Sequence, residues 1–218
     1  MFFEQSLNSL QFGLMLFLLA AGLTLVFGIM DMINLAHGSL YMIGAYLMAS
    51  FVQATGSFWM ALPLALVATA LVGAALEVSL LRKLYERDHL TQVLATFAII
   101  LIANEAVRIL WGPQSIMLNP PAGLTGPVLL PGGVQYASYR LAIIGVGAAV
   151  ALSLYLLVTK TRVGMLVRAG ASNREMAVAM GVNIRRLFTV VFALGAALCA
   201  LAGAMLGPIL AVDRKSVV

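Results

Sequence analysis

Charge is what this chain has least of. Only 10% of its 218 residues are Asp, Glu, Lys or Arg, while 62% are apolar. An average soluble domain carries about 25% charged residues, so a water-soluble globule is excluded, and so is a disordered chain, which needs low hydrophobicity. Cysteine is almost missing as well. Cys199 stands alone, so no disulfide forms within the chain and a disulfide-stapled secreted module is ruled out. The start, Met1-Phe2-Phe3-Glu4-Gln5, lacks the basic residues that open a secretory signal. No G-x-S-x-G, H-E-x-x-H or P-loop spacing occurs, so neither covalent catalysis nor nucleotide binding has a motif. The chain is therefore read as a non-enzyme without a cofactor. The net charge of +5 does not point to nucleic acid, because basic residues in a membrane protein are first divided between its two sides.

What the chain has is long hydrophobic runs. About 20 apolar residues cross a bilayer, and no charge falls between Glu4 and Asp31. Spans are predicted at about 10–29, 35–51, 58–80, 91–111, 139–159 and 187–210, with Gln53-Ala-Thr-Gly-Ser57 breaking the second from the third. The alternation of a β-barrel is missing. The fold class is an all-α integral membrane protein, a polytopic bundle of about six transmembrane helices.

Basic residues orient it. Arg82, Lys83 and Arg87 crowd one connection, and Lys160, Arg162, Arg168, Arg174, Arg185 and Arg186 another, whereas 112–138 holds no Lys or Arg and five prolines. By the positive-inside rule the two basic connections are cytoplasmic and the Pro-rich one faces out. Counting back through three spans puts the N-terminus outside. Ala20-Ala-Gly22, Gly73-Ala-Ala75, Gly145-x-Gly147, Gly195-Ala-Ala197 and Gly203-x-x-x-Gly207 supply the small residues that let helices approach closely in lipid. Thr24, Thr91 and Thr96 are expected to bond within or between helices.

Polar residues at membrane depth are costly unless they meet a partner or line a cavity. Asp31, Asn34 and His37 recur at helical spacing where the first span meets the second, with Gly28 and Gly38 beside them. Two readings stand: a solvated connection with helix caps, or part of a translocation path. A metal site is not expected, since one His and one Asp offer too few ligands. Asn104, Glu105 and Arg108 form a second group, either an interfacial pair beside Trp111 or a polar patch near an outer mouth.

The loop 160–186 contains a short amphipathic helix, with Ser172 or Asn173 as cap, Glu175 in its first turn and Gly181 at its end. Met176, Ala177 and Met180 make an apolar stripe. Such a helix can lie on a membrane or dock in a partner's groove.

At these residues the chain resembles a family. Asn34-Leu-Ala-His37-Gly38-Ser39-Leu40-Tyr41-Met42-Ile43-Gly44-Ala45-Tyr46 is similar to the opening of permease subunits of branched-chain amino-acid ABC transporters. Thr161-Arg162-Val-Gly164, Arg168-Ala169 and Glu175-x-Ala177-x-x-x-Gly181 resemble that family's cytoplasmic coupling loop, with Met176 replacing the middle Ala of the broader Glu-Ala-Ala-x-x-x-Gly pattern. The resemblance runs from about Ser6 to Val212. It implies a bacterial inner-membrane importer in which this chain pairs with a second, homologous permease, two cytoplasmic ATPases and a periplasmic solute-binding protein. Asn34, His37, Gly38, Asn104, Glu105 and Arg108 become candidates for the path, and Arg168, Glu175, Ala177 and Gly181 for ATPase coupling. The implied substrate is a branched-chain amino acid. The runner-up is urea, a short amide or another amino acid.

Other classes fit less well. An ion-coupled carrier needs intramembrane ionisable groups; only Glu105 and Asp31 qualify, and no inverted repeat stands out. For an intramembrane hydrolase, His37 and Ser39 lie too close together. The permease domain is read as 1–212. Residues 213–218 carry no family resemblance and read like one frame of a sequencing adapter, so the expectation is a non-native tail on a chain that naturally carries further spans.

Overall fold

The computed structural model describes residues 2–32, 34–85, 87–112, 118–130 and 134–215. Its helices are α1 (Phe2–Met30), α2 (His37–Thr55), α3 (Phe58–Ser79), α4 (His89–Trp111), α5 (Ser138–Lys160), α6 (Arg162–Ser172), α7 (Arg174–Ala179) and α8 (Ile184–Lys215). Helices dominate for the reason given by the bilayer: only a helix or a closed barrel satisfies every backbone group without water. Among the described residues, five segments are long and apolar enough to cross a membrane: Glu4–Met30, Phe58–Lys83, His89–Trp111, Ser138–Lys160 and Ile184–Ile209. The remaining expected span, 35–51, is present as α2, but it is not among those five. Its His37, Ser39, Tyr41, Tyr46, Ser50 and Gln53 dilute its apolar character. Asp213–Lys215 continue α8, and 216–218 lie outside the described residues.

The last helix is the centre of the bundle. α8 packs along α1, α2 and α3, and Val191, Phe192, Ala196, Cys199, Ala200, Ala202 and Ala204 on it are almost fully buried. Small residues make this possible. A methyl group placed on Gly73 would stand 2.6 Å from Ala196 Cβ, and one on Gly22 would stand 3.0 Å from the Gly195 carbonyl oxygen. Backbones so close gain dispersion contact that bulkier residues would forfeit. Thr24 and Thr96 bond to carbonyls one turn back, as expected.

The connections sort into two ends. In the Pro-rich connection, β1 (Pro127–Leu130) and β2 (Val134–Ala137) form an antiparallel hairpin with Pro127 opposite Ala137. The Tyr136 hydroxyl and an Arg140 guanidinium nitrogen donate to Asn8 Oδ1 at 3.0 and 2.7 Å, fastening that hairpin to the start of α1. At the opposite end, Met30 of α1, Tyr85 and Arg174 come together. The division between a Pro-rich end and a basic end, read from charge, is thus a division in space.

Candidate translocation and coupling site

The connection between α1 and α2 does not continue as helix. Asp31 has φ +49, a left-handed conformation rare outside glycine, and α2 begins only at His37. The expected single polar face of Asp31, Asn34 and His37 is therefore broken. Asp31 is exposed, while Asn34 and His37 are buried. Asn34 Oδ1 accepts from the Ala36 N–H at 3.0 Å, an Asx-type turn that starts α2. Its Nδ2 is buried with no hydrogen-bond partner among the described residues. The break lies between Gly28 and Gly38 rather than at either.

His37 is threaded between α1 and α8. Its Nε2 lies 3.0 Å from Cys199 Sγ. A Cβ on Gly22 would stand 3.0 Å from that same nitrogen, and one on Gly195 would stand 3.4 Å from His37 Cε1. The two glycines thus clear the slot that the imidazole fills. Gly38 has open space around its Cα. No group of three or more His, Cys, Asp or Glu able to hold a metal occurs among the described residues.

Asn104, Glu105 and Arg108 are not brought to this place. They are exposed on α4, where Arg108 Nη1 lies 3.6 Å from Glu105 Oε2. The expected pair forms, and Trp111 one turn on donates to Ser50 Oγ at 2.6 Å, pinning the end of α4 to α2.

The loop helix forms as its caps dictate. Asn173 Oδ1 accepts from the Met176 N–H at 2.9 Å, so Asn173 rather than Ser172 is the cap of α7. Gly181, at φ +85, reverses the chain after it, and the Val182 N–H returns to the Ala177 carbonyl. Arg168 bonds back to the Val158 carbonyl at the end of α5. Ala177 is buried against its own chain, whereas Glu175, Met176, Val178 and Met180 are exposed. The outward apolar face is consequently Met176 and Met180, one turn apart, with Ala177 on the inward side and Val178 exposed away from that pair.

The sequence reading missed one centre. Glu77, at the end of α3, is fully buried and accepts from the Thr189 hydroxyl at 2.6 Å, the Tyr85 hydroxyl at 2.7 Å and Arg82 Nη2 at 3.2 Å. Burial first, then the Glu77 carboxylate, pushes the Tyr85 phenol far above its ordinary pKa, so it stays protonated and donates. The available signal was a lone acid ending an apolar run, five residues before Arg82.

Residues 6–216 match the family described as "Branched-chain amino acid transport system / permease component". The high-affinity branched-chain amino acid transport system permease protein BraD of Pseudomonas aeruginosa is 29% identical, over 94% of this chain and 71% of its own. LivH of Escherichia coli K12, a permease protein of the same description, is 28% identical over 94% of this chain and 70% of its own. A probable branched-chain amino acid transport permease protein LivH from Methanocaldococcus jannaschii is 29% identical over 88% of this chain and 62% of its own. No solved structure matches the chain. A multi-pass helical bundle carrying the Asn34–His37 turn and the α6–α7 loop, matched along nearly its whole length, belongs to the family of branched-chain amino acid transport permease components.

Proposed function

We propose that this chain forms half of the translocation path of an ATP-driven importer for branched-chain amino acids in a bacterial inner membrane. A second permease supplies the other half, two cytoplasmic ATPases the energy, and a periplasmic binding protein the substrate. The N-terminus and the 127–137 hairpin lie on the periplasmic side, and α6, α7 and the 81–88 turn on the cytoplasmic side, following the basic residues. The observation that carries the reading is α7. A capped helix at the basic end turns Met176 and Met180 outward together while Ala177 anchors it inward. An exposed apolar helix face bounded by charge suits a partner's groove.

In this reading Glu175 and Gly181 set the charge and the turn of the docking element, Ala177 seats it, and Arg168 ties α6 to α5. Asn34, His37 and Gly38 hold the path where α1 breaks, and Asn104, Glu105 and Arg108 form its outer polar patch. ATP hydrolysis moves α7, and the bundle responds because the docking contacts differ between the two states.

The test is to co-express the chain with its partner subunits, replace Met176 and Met180 together by Asp, and measure ATPase co-purification and leucine uptake. Both are expected to fall at least tenfold while the permease stays in the membrane. Unchanged co-purification removes α7 as the dock. Uptake of urea or acetamide in place of leucine would move the substrate to the runner-up.

A further inference from the structure

Around Glu77 the ends of α1, α3 and α8 meet the turn that carries Arg82 and Tyr85, and one side chain links that knot to α7. Arg174, the first residue of α7, donates from Nη2 to the carbonyls of Ile29 and Met30 at 3.0 and 3.1 Å, the last residues of α1. Those carbonyls are orphaned by the helix end and carry its partial negative charge, so a guanidinium is their natural cap. The same guanidinium stands 5.0 Å from the centre of the Phe188 ring, within cation–π range. Phe188, buried on α8, meets Tyr85 edge-on at 5.1 Å. The Tyr85 hydroxyl closes the knot, donating to Glu77 at 2.7 Å and lying 3.8 Å from Met30 Sδ. Immediately beyond Met30 come the left-handed Asp31 and the turn that leads to Asn34 and His37.

We infer that Arg174 is the positioning residue through which movement of α7 reaches the membrane bundle, by gripping the C-terminal end of α1 and the Phe188–Tyr85–Glu77 knot together. This rests on the importer reading above and adds to it the residue that transmits, as distinct from the surface that docks. α7 is joined by backbone to α6 and α8 but not to α1, which its Arg174 side chain reaches. Arg174 supplies a planar cation that donates twice from Nη2 and stands over the Phe188 ring at once, a combination lost when the charge or the planar guanidinium is lost. Asp31, already off the helix, is where such a displacement is absorbed, so the Asn34–His37 turn moves while α1 stays whole.

The experiment uses the chain assembled with its partner subunits in proteoliposomes and compares Arg174→Gln, Arg174→Lys and the unsubstituted chain. Three quantities are read: ATPase bound per permease, ATP hydrolysed, and leucine imported per ATP. Arg174→Gln is expected to retain ATPase binding within twofold while leucine imported per ATP falls at least tenfold. Arg174→Lys, with charge but no planar guanidinium over Phe188, is expected to fall between. Wild-type stoichiometry in Arg174→Gln overturns the inference, and so does a fall in ATPase binding that parallels the fall in uptake, since that marks Arg174 as part of the dock or of the fold. Failure of the unsubstituted chain to bind an ATPase sinks the importer reading itself, and this inference with it.

Discussion

The two sides of the bundle are built differently although their sequences are almost equally apolar. Over its apolar window α8 is 72% buried, whereas α5 is 11% and α4 17% buried. Hydrophobicity does not distinguish them, because lipid tails are as apolar as leucine and provide no drive to pack one helix rather than another. Residue size does. Where α8 crosses its neighbours the partners are Gly22 against Gly195, Gly44 against Ala200 and Gly73 against Ala196. On the outer side of α5, Gly145 has nothing within 4 Å of where its Cβ would be, while a Cβ on Gly147, on its inner side, would stand 3.0 Å from Leu14 Cβ.

That contrast breaks most sharply under a matched pair of substitutions. Gly44→Leu should cost about 3 kcal/mol, the upper part of the overpacking range, because the new side chain meets the backbone of α8. Gly145→Leu should be neutral or slightly stabilising, since leaving glycine gains up to about 1 kcal/mol of helix propensity. Thermal melting in detergent reads both, at roughly 2–4 °C per kcal/mol for a chain of this size. Equal losses at the two positions would mean that α5 is as tightly packed as α2.

The same comparison can be made between two carboxylate–arginine pairs. Glu77 is fully buried beside a part-exposed Arg82, while the Glu105 and Arg108 side chains are both more than 60% exposed. Glu77→Gln keeps one acceptor oxygen but places an NH2 donor among three donors and removes the charge facing Arg82, and is expected to cost about 2 kcal/mol. Glu105→Gln should cost well under about 1 kcal/mol, as exposed ion pairs do. Melting curves of the two variants in parallel would sharpen the distinction, and a larger loss at Glu105 would show that the α4 face is covered.

Much of this was legible beforehand and some was not, for physical reasons. Helix positions follow from bilayer thickness, so the run before Asp31 and the break at 53–57 could be read directly. The capped α7 followed from Asn173 and Gly181, because caps are local. The location of Ala177 was not legible: an apolar stripe on a short helix does not say which half faces its own chain. Nor did spacing reveal that Asp31 leaves the helix, since a period of three is equally compatible with a turn. Glu77 escaped for the opposite reason. Its three partners are 5, 8 and 112 residues away, and the farthest of them, Thr189, is a tertiary contact that no local pattern encodes. His37 stood out as polar, but the slot between Gly22 and Gly195 that receives it exists only once α1 and α8 cross.

The smallest effect is expected at the start of the open helix α4. Asp88 caps it, with Oδ1 accepting from the Thr91 hydroxyl at 2.6 Å and Oδ2 from the Thr91 N–H at 3.1 Å. These bonds, the hydroxyl first, hold the carboxyl below its ordinary pKa. A carboxyl depressed in the folded state stabilises above its unfolded pKa, about 3.9, and loses that contribution as pH falls through the folded value. Stability should therefore be flat near neutrality and drop slightly in acid below about pH 4. Asp88→Asn keeps a good cap without the titration, so its melting temperature should lack this component of the acid drop. Asp88→Ala should lie below both at pH 7. Because the group is fully exposed and α4 is held to the bundle along a single narrow face, the differences should stay within about 2 °C. Melts of the three proteins between pH 7 and pH 3 measure it, and an unchanged acid drop in Asp88→Asn would assign it to other carboxylates.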